Sequence, residues 1–318
     1  MSIRRLSNAA VRDLYRFHAS LLADRVRTES YRAAIESVVQ PHHVVADLGC
    51  GTGILASFAA RAGAKRVYAI DEGAVIAIAR ELAADNGLAD RITFIESSSF
   101  DVTLDEPADV LITETMGNSG FDEGIALAVI DARRRWMRRE AIVIPRAIEM
   151  IAVPIERACS ESWPEETYGF DYARVARNLA NVVEAVQLDR STFVAEPQTI
   201  MRSELEEASL RGAAPFTIVR SATVNAIAVW FRATLTPAIT ISNEPPNQCP
   251  SWKQAVFPLR EDVRVECGDF LAVEMQTFDG AEWRWRVLRD GELLSEQSTL
   301  ENGGVILSRA DGEGSGSL

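Results

Sequence analysis

Glu114 and Glu123 are the residues of this chain best spaced to act chemically as a pair. They bound the run Thr113-Glu-Thr-Met-Gly-Asn-Ser-Gly-Phe-Asp-Glu123, directly after the apolar segment ADVLIT, which reads as a strand. Open α/β sheets place their sites at the C-terminal ends of strands. Nine residues apart on one helix, the two side chains would point to opposite sides. They converge only if the chain folds back between them, which Gly117 and Gly120 permit. Converged carboxylates repel each other unless a cation sits between them. A guanidinium suits such a clamp, because it is planar, always charged and donates in pairs to a carboxylate. On charge pattern alone, two solvated surface glutamates are the plainer reading.

A second constellation is Asp47-Leu-Gly-Cys-Gly-Thr-Gly53, between a strand and a helix. Gly49, Gly51 and Gly53 allow a tight turn and close approach of a ligand to the backbone. The spacing is GxGxG, not the GxGxxG of dinucleotide sites. It suits a nucleoside carrying a zwitterionic amino-acid arm better than a pyrophosphate. Asp71 closes the next strand, RVYAID, where an acidic side chain can accept from both ribose hydroxyls. Asp47 belongs to the same cofactor set. Ser99 and Phe100, after a further strand, are candidates for the base contact.

These residues require a scaffold, and the pattern supplies an α/β one. Residues 1–40 read as N-terminal helices, one over Arg12–Val26 and a second from about Ser30, stopped by Pro41. Residues 41–146 alternate strand and helix: HVVADLG, ILASFAARAG, RVYAID, EGAVIAIARELAADNG, RITFI, ADVLIT, EGIALAVIDARRRWM and AIVI. Such alternation means a parallel sheet with crossovers, a Rossmann-like domain. Residues 147–309 change to alternating strands, among them IEMIAVPIE, FTIVRS, NAIAVWFRATL, ITIS, DFLAVEMQTF and EWRWRVLRD, and predict an antiparallel β-barrel. A helical insertion at about 160–190 interrupts it. The tail, 310–318, lacks apolar residues and is expected to be disordered.

Composition limits the function classes. The 318 residues are 47% hydrophobic and 25% charged, ordinary for a folded protein. The net charge of -13 argues against a nucleic-acid partner and suits a cationic substrate. No apolar run reaches membrane-spanning length and no secretory signal opens the chain, so the expectation is a cytoplasmic protein without a membrane partner. The four cysteines form no CxxC, and no metal site is expected. Two lysines against 31 arginines point to a GC-rich bacterial coding sequence.

Several segments together resemble the protein arginine methyltransferases, over about residues 14–308. ADLGCGTGILASFAARAGAKRVYAID resembles that family's cofactor segment and ETMGNSGFDE its double-glutamate loop. HASLLADRVRTESYR resembles the segment before the sheet, VNAIAVWF and SWKQAVFPL the barrel strands and substrate loop, and YGFDYARV the arm that embraces a second subunit. The resemblance implies S-adenosyl-L-methionine as methyl donor, an arginine guanidinium as acceptor, and a homodimer. It implies that Arg27 grips the cofactor carboxylate and that Glu114 and Glu123 are catalytic. Met116 and Trp252 join them at the acceptor, Trp252 either as packing or against the cation.

Three positions depart from the family pattern. Pro250-Ser251-Trp252 stands for Thr-His-Trp, so a His–Asp pair with Asp24 is gone. Arg12 stands where the lid helix has its last tyrosine. Asn118 replaces a tyrosine. All lie around the acceptor, and with the short N-terminus they lead us to expect a small guanidino substrate. Free L-arginine in a bacterial biosynthetic pathway of the antibiotic type, giving N-omega-methyl-L-arginine, is the first expectation. An arginine-containing peptide is the alternative, and a non-catalytic cofactor-binding scaffold the third.

Overall fold

The computed structural model describes residues 7–157, 166–278 and 280–301. Two helices lead, α1 (Asn8–Ala23) and α2 (Arg25–Val38). The break falls at Asp24, earlier than the sequence pattern indicates. Its carboxylate accepts from the Arg27 N–H at 3.0 Å and so caps α2.

Next come β1 (Val44–Leu48), α3 (Ile54–Arg61), β2 (Arg66–Asp71), α4 (Val75–Asp85), β3 (Ile92–Glu96), β4 (Ala108–Thr113), α5 (Ile125–Arg135) and β5 (Met137–Ile144). The five strands form one parallel sheet in the order β3-β2-β1-β4-β5. β1 lies at its centre and every one of its residues is buried. That is why parallel strands read as unbroken apolar runs rather than alternating ones. The chain order switches sides between β1 and β4. The C-terminal ends of these two strands therefore open a crevice, and the glycine loop and the glutamate run both leave from it.

The antiparallel half begins with β6 (Ala147–Ile155) and a two-residue hairpin, β7 (Glu166–Thr167) and β8 (Phe170–Asp171). It continues through α6 (Ala173–Leu179), β9 (Glu184–Val186), β10 (Gln198–Ser203), β11 (Ser209–Thr217), β12 (Ala222–Thr236) and β13 (Ile239–Ser242). It closes with β14 (Gln254–Val265), β15 (Phe270–Phe278), β16 (Glu282–Arg289) and β17 (Glu292–Ser298). Two sheets result. One runs β10-β6-β12-β14-β9, with β13 also on β12, and the other β11-β15-β16-β17. Their apolar faces meet at Phe257 of β14, whose ring stands 5.3 Å from those of Trp283 and Trp285 on β16, all buried.

The insertion at 160–190 is only partly helical. Its helix covers Ala173–Leu179, and Glu184–Val186 pairs with β14 in the main sheet. Val182 and Val183 precede that strand, and β-branched residues favour extended backbone. FTIVRS is likewise corrected: the strand is Ser209–Thr217, ending where FTIVRS begins. Alternate burial along SLRGAAPFT identifies it, although Gly212 and Pro215 mask the pattern in the sequence. The start of the insertion, 158–165, and the tail at 310–318 lie outside the described residues.

Candidate functional site

The glycine loop leaves β1 with Gly49, Gly51 and Gly53 all in the left-handed region, at φ of 72°, 53° and 76°. Two aspartates frame it. Asp71, at the end of β2, accepts from the Gly51 N–H at 2.8 Å and from the Gly73 N–H at 2.7 Å. Each oxygen keeps a second lone pair for a hydroxyl. Asp47 is fully buried. Its Oδ2 accepts from the Ala56 N–H at 2.8 Å, while its Oδ1 has no partner among the described residues. Burial pushes its carboxyl up to about 7. An orphaned buried acceptor beside three left-handed glycines fits a ligand that brings a donor, such as an ammonium, against the backbone.

α1 adds a residue that sequence reasoning missed. His18 lies over the loop, its Cε1 3.2 Å from where a Cβ on Gly51 would stand. Burial lowers its pKa, Asp71 opposes that and Arg27 adds to it. The available signal was its position nine residues before Arg27, in the segment already singled out.

The glutamate run folds back as its glycines allow. The Asp122 N–H donates to the Met116 carbonyl at 3.2 Å. The Ser119 N–H donates to Asp122 Oδ2 at 2.7 Å, and the Ser119 hydroxyl donates to Oδ1. Gly117, at φ 63°, closes this turn and lies against the Asp122 side chain. Upstream, the buried Tyr31 hydroxyl holds the Thr113 carbonyl at 3.0 Å. A Cβ on Gly49 would stand 2.7 Å from Thr115 Cγ2, so the glycine loop and the glutamate loop touch.

The Glu114 side chain is nearly buried and forms an ion pair with the similarly shielded Arg27 guanidinium. Loss of water pushes the Glu114 carboxyl up to about 8; Arg27 pulls it down and Glu123 pushes it further up. Glu123 remains exposed. Its carboxyl moves the same way, through desolvation first and then Asp122, with Arg27 opposing. The smaller shift accords with the solvent that still reaches it. One guanidinium thus acts on both carboxylates.

The barrel completes the surround. Trp252 is buried, edge-on to Phe231 at 4.9 Å, and its ring stands 5.5 Å from the Arg27 guanidinium carbon. Trp252 therefore packs in the core, and the cation over its ring is the protein's own Arg27. Asn118 anchors the glutamate loop to the barrel: its Oδ1 accepts from the Lys253 N–H at 2.8 Å and its carbonyl from Asn243 Nδ2 at 2.8 Å. Asn243, fully buried, also accepts from the Phe231 N–H at 2.8 Å. Sequence reasoning missed this hub. The loss of a histidine does not leave Asp24 free, because the Ser251 hydroxyl and N–H both donate to its Oδ2, at 2.6 and 3.1 Å.

Contacts link Arg27 to Glu114 and Trp252, Gly51 to Asp71, and Gly49 to the glutamate loop through Thr115, while Asp47 and Met116 are fully buried. Ser99 and Phe100 form part of a single 3₁₀ turn, with Phe100 exposed. The Ser99 carbonyl accepts from Arg135 on α5 at 2.6 Å, so its described contact is with that helix rather than with the glycine loop. Among the described residues, no group of three or more His, Cys, Asp or Glu side chains is arranged to hold a metal. None of their helices is long and apolar enough to cross a membrane.

Residues 147–286 match the arginine methyltransferase oligomerization subdomain, and residues 28–118 match the ribosomal protein L11 methyltransferase family model. The chain is 30% identical over 272 residues to protein arginine N-methyltransferase 1 of Schizosaccharomyces pombe, covering 80% of this chain and 79% of that protein. It is 29% identical to the Saccharomyces cerevisiae protein of the same name, over 83% of this chain and 80% of the other. Among solved structures, the Trypanosoma brucei PRMT1 enzyme–prozyme heterotetrameric complex with AdoHcy aligns at a TM-score of 0.78 and 25% identity, covering 88% of this chain and 96% of that one. Arabidopsis thaliana protein arginine methyltransferase 10 shares the fold, at a TM-score of 0.71 and 22% identity, covering 88% of this chain and 96% of the other.

Proposed function

Because the chain belongs to the protein arginine N-methyltransferase family, an S-adenosylmethionine-dependent enzyme class, we propose that it methylates a guanidino nitrogen of arginine held within a protein or peptide. The observation that carries this reading is the folding of the glutamate loop against the glycine loop, where Thr115 meets Gly49 and the Arg27 guanidinium pairs with Glu114. Free L-arginine was the first expectation, because the acceptor loop lacks its histidine. Ser251 weakens that inference, since it keeps the barrel tied to Asp24. The named relatives are protein methyltransferases.

Arg27, His18, the 49–53 loop, Asp47 and Asp71 would hold the cofactor, with Asp71 on the ribose and the unpartnered Asp47 Oδ1 toward the ammonium. When bound, S-adenosylmethionine supplies an electrophilic methyl group. The acceptor guanidinium enters between Glu114 and Glu123, whose raised pKa values drop back as the cation arrives. The pair then fixes one terminal nitrogen in place, and much of the rate comes from that orientation. As the nitrogen gains its methyl group it becomes more acidic, and one of its protons passes to a carboxylate or to water.

We also propose a homodimer, in which the arm carrying β7, β8 and α6 contacts the second subunit. The match to an oligomerization subdomain supports it, as do Tyr168 and Phe170, which are 93% and 66% exposed. Light scattering on the protein and on Tyr168→Ser/Phe170→Ser tests it, with a monomeric double variant expected.

An assay with methyl-labelled cofactor decides the acceptor. Label is expected in arginine-rich peptides, and label in free L-arginine alone would overturn the peptide assignment.

A further inference from the structure

Gly280 sits in the turn between β15 and β16, far in sequence from the glutamate loop yet against it in space. A Cβ built on Gly280 would collide with the Phe121 carbonyl oxygen and stand 3.3 Å from the Gly124 nitrogen. These two atoms bracket Asp122 and Glu123 along the chain. The contact is backbone to backbone, so no side-chain rotation can relieve an added methyl group. The turn itself is held at both peptide ends. The Gly280 N–H donates to the buried Thr277 hydroxyl oxygen at 3.2 Å, and the Gly280 carbonyl accepts from the buried Trp283 indole at 3.1 Å. Thr277 Oγ1 in turn donates to the Glu282 carbonyl at 3.0 Å, which closes the hairpin base. On its other side the same glutamate loop is stopped by the barrel, because a Cβ on Gly120 would meet Ile148 and Phe231 at 2.8 Å.

We propose that the Gly280 turn is a backstop built into the barrel that sets the position of Glu123, making Gly280 a positioning residue for the reaction. The glutamate loop has few backbone bonds of its own, and a catalytic carboxylate must be held to within a fraction of an ångström. Clamping residues 120–124 between the β15–β16 turn and β6/β12 supplies that precision from the second half of the chain. This proposal rests on the assignment of Glu123 to the acceptor clamp.

The fold contains its own control. Gly291, in the β16–β17 turn of the same sheet, has φ 83° against 82° for Gly280, but among the described residues nothing lies within 4 Å of a Cβ there. Alanine at either position meets the same backbone strain, and only Gly280→Ala pushes on the glutamate loop. Turnover of an arginine-rich peptide by Gly280→Ala should fall tenfold or more below that of Gly291→Ala. The dissociation constant for S-adenosylhomocysteine should stay within twofold in both. Carbon-13 NMR of labelled glutamate, with the Glu123 signal assigned by its loss in Glu123→Gln, reads the position of the carboxylate without turnover. The Glu123 titration should shift in Gly280→Ala and match the parent protein in Gly291→Ala. If Gly280→Ala does not fold, Trp283→Phe, which deletes the indole bond to the turn and shrinks the ring packed on Phe257, should lower turnover threefold or more and shift the Glu123 titration. Equal turnover and an unmoved Glu123 titration in Gly280→Ala and Gly291→Ala overturn the proposal. A parent protein that methylates no arginine substrate would instead remove the proposed function, while the titration would still report whether the turn positions Glu123.

Discussion

Ser251 and Asp24, 227 residues apart, join the barrel to the junction of the two N-terminal helices. The Ser251 hydroxyl and N–H both donate to one carboxylate oxygen, and the other oxygen caps α2 just ahead of Arg27. A single buried carboxylate therefore sets where Arg27 begins its reach toward Glu114. Ser251→Ala removes one hydrogen bond to a charged group and should cost about 1.5–3 kcal/mol of stability. Chemical denaturation measures this. A loss below a few tenths would show the hydroxyl to be dispensable.

Replacing either clamp glutamate should separate chemistry from cofactor binding. We expect Glu114→Gln and Glu123→Gln each to lower kcat about 100- to 1000-fold, as for loss of a group that acts mainly on the transition state. S-adenosylhomocysteine affinity, read by calorimetry, should change much less. Normal turnover in Glu123→Gln would exclude the clamp.

The clamp should also set the acid side of the pH profile. The Glu114–Glu123 pair holds protons well above the usual carboxylate range, with Glu114 near 8. An arriving guanidinium must displace them, so kcat/KM should fall as pH drops below about 7 to 8. Substrate binding near pH 7 should release protons, detectable as a dependence of the binding enthalpy on buffer ionisation.

Stability follows the opposite sense. Asp47, Glu114 and Glu123 have folded-state pKa values raised above their unfolded ones. Between about pH 4 and 8 the folded chain therefore binds more protons than the unfolded chain, and the contribution of these three groups falls as pH rises. Isolating it requires Asp47→Asn and Glu114→Gln, whose denaturation midpoints should decline less steeply across that range than the parent's.

Arg27→Gln should be destabilising in a pH-dependent way. At pH 6 Glu114 is mostly protonated and loses little with its partner. Without Arg27 the Glu114 carboxyl titrates higher still, so at pH 9 the variant must take up a proton that the parent has released, which adds about 1.4 kcal/mol of loss per pH unit above the parent's value. Denaturation at the two pH values compares them, and an equal loss at both would place the Glu114 proton elsewhere.

The parallel half was legible because its signals are local. Asp47, Gly49, Gly51, Gly53 and Asp71 belong to consecutive strand–turn–helix units, and unbroken apolar runs mark buried parallel strands. The barrel was legible as a class but not strand by strand. β11 hid behind Gly212 and Pro215, and the arm's apolar residues suggested more helix than forms, because pairing of β9 with β14 overrides local preference.

By itself, the sequence determined the glycine loop, the acidic end of β2 and the two glutamates at a spacing that no single helix could bring together. Only the tertiary structure decided that Arg27 pairs with Glu114 and how the two loops are held: His18 over Gly51, Asp24 on Ser251, Asn243 on the loop of Asn118, and Gly280 behind the segment that carries Glu123. Each of these is a contact between residues distant along the chain. The geometry of such a contact depends on how two sheets settle against each other, which no run of neighbouring residues encodes.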